Sequence, residues 1–390
     1  MSSQGAGPSE RRVGRYHLAE GLGGGPTGEV FRAKVYGVAG LERQFAVKRF
    51  HPELVSNPDR AALLAHAARV YGGLQHPRIA RLHEFGVAGG ETFAACELVR
   101  GIDLVRLLAL AGERGGGLQP GAGAALIAAA ARAIGFAHVR GLSHLGVCPS
   151  NVICTADGDV KVTDFGYLGL RLPVRPADDP GLVSRIRYLA PEQLRGEPGS
   201  LATDVFQLGL LACELLTGKA PLAGVDPHDL QRRAQAGELP VVALDLPRPL
   251  TQVIRRALAI SPRERFADAG ALADSLDAAT RAAPLAGDRR EVAALVRSAV
   301  EQPLASPGSE RAASGAPLVP SPAASRATLT GRPPSMQRPA RVESPSSNGD
   351  RGRSQQPAGG LQAGQVIMLP RPAVVPASVG DAARSAAESR

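Results

Sequence analysis

Residues 142–154 read LSHLGVCPSNVIC. His144, Pro149 and Asn151 fall at the spacing of a catalytic loop. Between them, where such a loop would place an acid to accept a proton, stands Gly146. No carboxylate within the stretch can stand in, because Asp157 and Asp159 belong to the strand turn beyond it. Whether this loop belongs to an enzyme, to the remnant of one or to neither is decided by the segments on either side.

Upstream, LGGGPTGEVFRA (22–33) holds GxGxxGxV as Gly23, Gly25, Gly28 and Val30. In a chain with 46 glycines that match alone reads as a surface hairpin turn. The glycines lie between two strand-like runs, YHLAEGLG and GEVFRAKVYG, not between a strand and a helix, which sets aside the dinucleotide-binding fingerprint. A strand–glycine–strand flap lets backbone N–H groups lie over a triphosphate. The next run, RQFAVKRF, carries Lys48 on an apolar strand, where a cation needs an anionic partner or a path to solvent. NPDRAALLAHAARVYGGL then reads as a helix, with Asn57 as N-cap before Pro58. RIARLHEFGV and ETFAACELV read as two more strands. After GIDLVRLLAL the pattern turns helical, through GAALIAAAARAIGFAHVRG and ATDVFQLGLLACELLTG, the second ended by Gly218. Strands first and helices later predict an α+β architecture, a small β-rich lobe followed by a larger helical one.

The order of motifs then narrows the reading. After the glycine flap and FAVK come SHLGVCPSN, KVTDFG (161–166), LAPEQ (189–193), TDVFQLG (203–209) and an arginine in SPRERFADA (261–269). This ordered set resembles the protein kinase family, most nearly its bacterial eukaryotic-like serine/threonine members. The resemblance covers residues 15–280 and implies a two-lobed kinase-like fold, with an N-lobe over about 15–99 and a C-lobe over about 100–280. It further implies ATP and Mg²⁺ as ligands. Leu22, Val30 and Ala46 would roof the adenine and Ile153 would floor it, with Gly23, Gly25 and Gly28 over the phosphates. The backbone of Glu97 and Val99 would bond the adenine edge, with Cys96 as a small gatekeeper behind it. Lys48 would pair the α/β-phosphates, and Asn151 and Asp164 would hold the metal. Glu192 would pair with Arg265, and Asp204 would brace the catalytic loop. Leu82, Tyr71, Phe165 and His144 would stack as an apolar column joining the lobes.

The departures from the family are concentrated at the chemistry. The positions of the family's proton-accepting Asp and phosphate-steadying Lys hold Gly146 and Cys148, and its loop arginine is Leu145. Counting back from His76, the helix glutamate that would pair with Lys48 falls on Ala67, next to His66. Loss of a general base alone costs about 10²–10⁴-fold in rate. The resemblance therefore implies no catalytic base and a serine/threonine protein kinase-like pseudokinase that binds ATP and acts as a signalling switch or scaffold. The alternative is an active but slow or atypical ATP-dependent phosphotransferase. The activation segment contains Ser184 but no Thr, and Leu145 cannot clamp a phosphate there, so switching by that route is not expected.

Composition adds exclusions. The 390-residue chain has no Trp and four cysteines (Cys96, Cys148, Cys154, Cys213) that form no CxxC pair, arguing for a reducing compartment and against a zinc or disulfide framework. The formal charge of +9 comes mostly from isolated arginines, without the basic blocks and interleaved aromatics of a nucleic-acid surface. No signal peptide or membrane span is read, VIMLPRPAVVP (366–376) being too short and broken by Pro370 and Pro372, and a cytoplasmic location is the expectation. Partners are then ATP and signalling proteins, active kinases among them, with no nucleic acid. Residues 1–14 read as a disordered N-terminus, and DRREVAALVRSAV (288–300), within 281–302, as an amphipathic helix either docked on the domain or free. Residues 303–390, rich in Pro, Ser and Ala, cannot bury enough apolar surface to offset their ordering entropy and are expected to be disordered.

Overall fold

The computed structural model describes residues 11–37, 40–171, 179–183, 185–222, 224–239, 244–282, 285–301 and 366–368. Strands β1 (Arg12–Val13), β2 (Tyr16–Gly25), β3 (Gly28–Tyr36) and β4 (Glu42–Phe50) come first. Helices α1 (Pro52–Val55) and α2 (Pro58–Gly73) follow, then β5 (Leu82–Ala88) and β6 (Glu91–Glu97). The sheet is antiparallel, in the order β1-β2-β3-β4-β6-β5. A period of two divides β4: Phe45 and Val47 bury with Tyr16, Phe31 and Phe93, while Ala46 and Lys48 take the opposite face. Register sets Val30 across from Lys48 and Arg32 across from Ala46. The Asn57 side chain caps α2 by accepting the N–H groups of Asp59 and Arg60, at 2.9 and 3.1 Å.

The helical lobe begins with β7 (Gly101–Asp103), α3 (Leu104–Glu113) and α4 (Pro120–His138). Strands β8 (Val152–Thr155) and β9 (Val160–Val162) join β7 in a small sheet of order β7-β8-β9. Then come α5 (Pro180–Val183), α6 (Pro191–Leu194), α7 (Leu201–Thr217), α8 (Pro227–Ala236), α9 (Arg248–Ala257) and α10 (Ala269–Ala282). The alanine-rich α4 is long and apolar enough to cross a membrane by length and composition, but it is the buried core helix against which α7 and α10 pack. Gly135 lets α10 approach it closely, since a Cβ there would meet the Gly270 nitrogen at 2.7 Å. Gly218 ends α7 in the left-handed region, at φ 71°.

One expectation about the C-terminal part is resolved. Helix α11 (Arg289–Glu301) is docked: Val292, Leu295, Val296 and Ala299 bury in the main core. Arg289 pairs with Asp157 at 2.7 Å, and Arg106 donates to the Ala299 carbonyl at 3.1 Å. Residues 303–390 lie outside the described residues except for Val366–Met368, which form β10, antiparallel to β5. Strand β5 would otherwise end the sheet with unpaired N–H and C=O groups, and an exposed edge recruits even a short strand.

Candidate functional site

The cleft lies between the two sheets' lobes, and its roof is the turn joining β2 to β3. Gly28 has φ 153° and stacks against β4, where a Cβ would lie 2.0 Å from the Arg49 carbonyl oxygen, so no side chain is tolerated. The His51 imidazole contacts the Gly25 carbonyl at 3.0 Å, and Arg171 donates to the Pro26 carbonyl, tying the turn to α1 and the activation segment. Val30 and Ala46 are half-buried, and Leu22 is exposed. Ile153 lies below, paired with Asp103 on the β7–β8 ladder. At the hinge after β6, the Glu97 carboxylate is taken by Lys161 at 2.9 Å and its N–H by the Arg81 carbonyl at 2.8 Å. Val99 is half-buried beside it.

Lys48 is buried and bonds the Asp164 carboxylate at 2.5 Å. Ala67 on α2 offers no carboxylate, and Gly166 packs close to it, a Cβ there meeting that of Ala67 at 3.2 Å. The space beside Lys48 is filled by Tyr167. Its ring lies 5.0 Å from Phe50 and 6.1 Å from Tyr71, with the Lys48 ammonium 5.5 Å from its centroid. The lysine thus keeps one carboxylate and gains an aromatic face in place of a second carboxylate. Behind the hinge, burial pushes the Cys96 thiol up to about 12, so it stays neutral in an apolar wall with Tyr71.

The catalytic loop is held from below. Asp204 accepts the backbone N–H groups of His144 and Leu145, both at 2.7 Å, and contacts His138 at 2.8 Å. Gln207 accepts the Val147 N–H at 2.9 Å, and Gln193 donates to the Leu145 carbonyl at 2.9 Å. Asn151 donates to the Gly146 carbonyl at 2.9 Å. The column joining the lobes is present: His144 and Phe165 are 4.8 Å apart and Phe165 and Tyr71 5.3 Å, with Leu82 buried beside them. Glu192 and Arg265 form a buried two-pronged pair, both bonds at 2.8 Å, and Thr203 adds a third bond at 2.7 Å. Burial alone would raise the Glu192 carboxyl, but the guanidinium and the Thr203 hydroxyl outweigh it and hold the group below the ordinary carboxylate range.

His144 contacts the Thr163 carbonyl through Nε2 at 2.8 Å, and its Nδ1 accepts the Gly146 N–H at 3.3 Å, which requires the neutral ring. Burial pushes its imidazole below the ordinary value, against the pull of Asp204. The unfolded chain therefore takes the proton first, and stability that is whole above the ordinary value of 6.5 is lost as pH falls below it. The urea midpoint should drop on acidification from about pH 7 to about pH 5. The drop should be smaller in His144→Phe, the remainder coming from His76 and His83, which burial also depresses.

Three features of the site are set by side chains that the motifs did not single out: Tyr167, Leu168 and Arg185. Leu168 packs directly on Gly146, where a Cβ would fall 2.9 Å from the Leu168 Cβ. Leu145, at φ 60°, fills the hollow between Gly169 and Gly199, approaching their would-be Cβ positions to 2.8 and 2.5 Å. Arg185 donates to the Cys148 sulfur at 2.8 Å. Ser184 and residues 172–178 of the activation segment lie outside the described residues.

Comparison with known proteins agrees with this geometry. A family model for the protein kinase domain matches residues 16–275. The chain is 31% identical over 288 residues to the tyrosine-protein kinase MasK of Myxococcus xanthus, covering 71% of this chain and 45% of that protein. It is 32% identical over 275 residues to the serine/threonine-protein kinase PknA of Mycobacterium tuberculosis, covering 69% of this chain and 62% of that protein. The crystal structure of the Mycobacterium tuberculosis PknI kinase domain superposes with a TM-score of 0.54 at 26% identity, over 70% of this chain and 100% of that domain. The chain thus spans about half of the length of the curated relatives it matches.

Proposed function

The chain belongs to the protein kinase family, and on that premise we propose that it is a serine/threonine kinase-like pseudokinase, one that binds Mg·ATP and acts as a signalling switch or scaffold. The observation that carries this reading is the contact between Leu168 and Gly146. The base is not merely replaced; its place is occupied, because any side chain at 146 meets Leu168 within 2.9 Å of its Cβ. Leu145 supports the same reading, filling with a methyl-tipped side chain the hollow from which the family's arginine would reach a phosphorylated segment.

Nucleotide binding rests on the donor set that is kept. Asp164 and Asn151 present a carboxylate and an amide oxygen, Asn151 having committed its N–H₂ to Gly146. Mg²⁺ favours such hard oxygens and needs only one or two from the protein when phosphates supply the rest. Among the described residues no cluster of three His, Cys, Asp or Glu side chains forms a dedicated metal cage, in keeping with a shared site. A bound Mg²⁺ would neutralise phosphate charge; Lys48, already aimed beside Asp164, would bind the phosphates, and the glycine turn would exclude water over them.

A slow or atypical phosphotransferase is the second reading, favoured by the retention of Lys48, Asn151 and Asp164 around one end of the cleft. Restoration separates the two. Gly146→Asp alone should leave peptide phosphorylation at the native background, because Leu168 holds the position. Gly146→Asp with Leu168→Gly, which removes the Cβ that stands 2.9 Å away, should raise transfer by up to about 10²-fold, at the low end of what a general base contributes. Native chain that already turns over a serine/threonine peptide many times would sink the pseudokinase reading.

A further inference from the structure

Two of the cations at the cleft differ in their partners among the described residues. Lys48 is paired with Asp164. The Arg185 Nη1 lies 2.8 Å from Cys148 Sγ, and among the described residues no ion pair joins it to a carboxylate. Its Nη2 lies just under the glycine turn, 3.3 Å from where a Cβ on Gly25 would stand. The guanidinium therefore bridges the flap above and the catalytic loop below.

This placement is built, not incidental. The Arg185 N–H bonds the Leu182 carbonyl at 2.8 Å, and its carbonyl accepts the Tyr188 N–H at 2.9 Å. Ile186 and Tyr188 on its C-terminal side are buried, and the Tyr188 hydroxyl reaches Glu214 at 3.0 Å. The backbone is fixed from both directions, so the side chain is delivered to the cleft. Cys148, its contact, is the position whose lysine in the family steadies the terminal phosphate. A half-buried guanidinium facing a glycine turn, with no carboxylate paired to it among the described residues, is suited to one class of ligand, because its planar fork matches a phosphate's oxygens two at a time.

Resting on the nucleotide reading above, we propose that Arg185 binds the terminal phosphate of a nucleoside triphosphate, taking the electrostatic place left by Cys148. The site then distinguishes a triphosphate from a diphosphate, which makes the protein a sensor of the nucleotide's phosphorylation state. The competing role for the same contact is a strap that holds the flap down on an empty cleft.

Calorimetric titration of the full chain with Mg·ADP and with a magnesium-loaded, non-hydrolysable ATP analogue decides between them. Arg185→Gln, which keeps a polar side chain and removes the charge and the guanidinium fork, should weaken the analogue by about tenfold while moving ADP by less than about twofold. Arg185→Gln combined with Cys148→Lys returns a cation to the cleft from the other wall and should recover most of the analogue's affinity. Equal weakening of both ligands, or no change in either, would overturn the assignment. Tighter binding of both would overturn it in favour of the strap. Native protein that binds neither nucleotide would remove the nucleotide reading together with this one, whereas the preceding outcomes leave nucleotide binding intact.

Discussion

Arg265→Ala is expected to cost about 3–5 kcal/mol of stability, a large share of the roughly 5–15 kcal/mol that holds a domain folded. Arg265 and Glu192 are both buried, and their two bonds of 2.8 Å are supplemented by Arg265 donations to the carbonyls of Ala259, Ala202 and Ile260. Removing the guanidinium leaves the Glu192 carboxylate inside the lobe with Thr203 as its remaining side-chain partner. It also removes the donor to three backbone carbonyls. The loss should be visible as a lower urea midpoint with an unchanged slope. Replacing both ends, as Glu192→Leu with Arg265→Met, should recover part of the loss, because the buried-charge penalty disappears with the pair. A single Arg265→Ala variant as stable as the native chain would mean that the clamp is not what joins α6 to the end of the lobe.

The second large effect is on ligand response. At a hundredfold excess over the dissociation constant, Mg·ATP should raise stability by about 2.7 kcal/mol, or about 5–10 °C in melting temperature for a domain of this size. Lys48→Ala and Asp164→Ala should each abolish that rise. The two residues share one bond of 2.5 Å, so either variant leaves the other charge without its partner. Each variant's own baseline will therefore differ from the native one, and the comparison lies in the increment on adding nucleotide. Omitting Mg²⁺ should reduce the native increment, and it should do nothing further in Asp164→Ala. A full increment retained in both variants would place nucleotide somewhere other than this cleft.

Much of this architecture is readable from residue order. The glycine turn, Lys48, Asn151, Asp164, Asp204 and the Glu192–Arg265 pair each carry a local pattern, and the structure joins Lys48 to Asp164, Asp204 to the loop backbone and Glu192 to Arg265. The β-rich and helical halves follow from a change in hydrophobic period. What escapes a reading of motifs is the set of contacts around the positions where this chain departs from the family's residues. Leu168 covers Gly146 and Tyr167 fills the gap beside Lys48 because of how the chain leaves Phe165, and both are ordinary apolar residues in the sequence. Arg185 stands 37 residues from Cys148, and its contact depends on the path of the activation segment and on the buried anchors Ile186 and Tyr188. The docking of α11 has the same character. Its apolar stripe is visible in the sequence, but its attachment is made by Arg106 and Asp157, far away along the chain. Strand β10 is three residues long and has no periodic signature; the open edge of β5 is what selects it.

The central claim is that the cleft binds Mg·ATP and does not transfer its phosphate. The most direct measurement follows both properties in one sample of the full chain, by equilibrium binding of Mg·ATP and by the intact mass of chain, acceptor peptide and nucleotide over hours. The expected result is saturable, Mg²⁺-dependent binding with every mass unchanged. A gain of phosphate or of nucleotide on the chain or the peptide, abolished by Asp164→Ala, would contradict the claim and make this protein an enzyme.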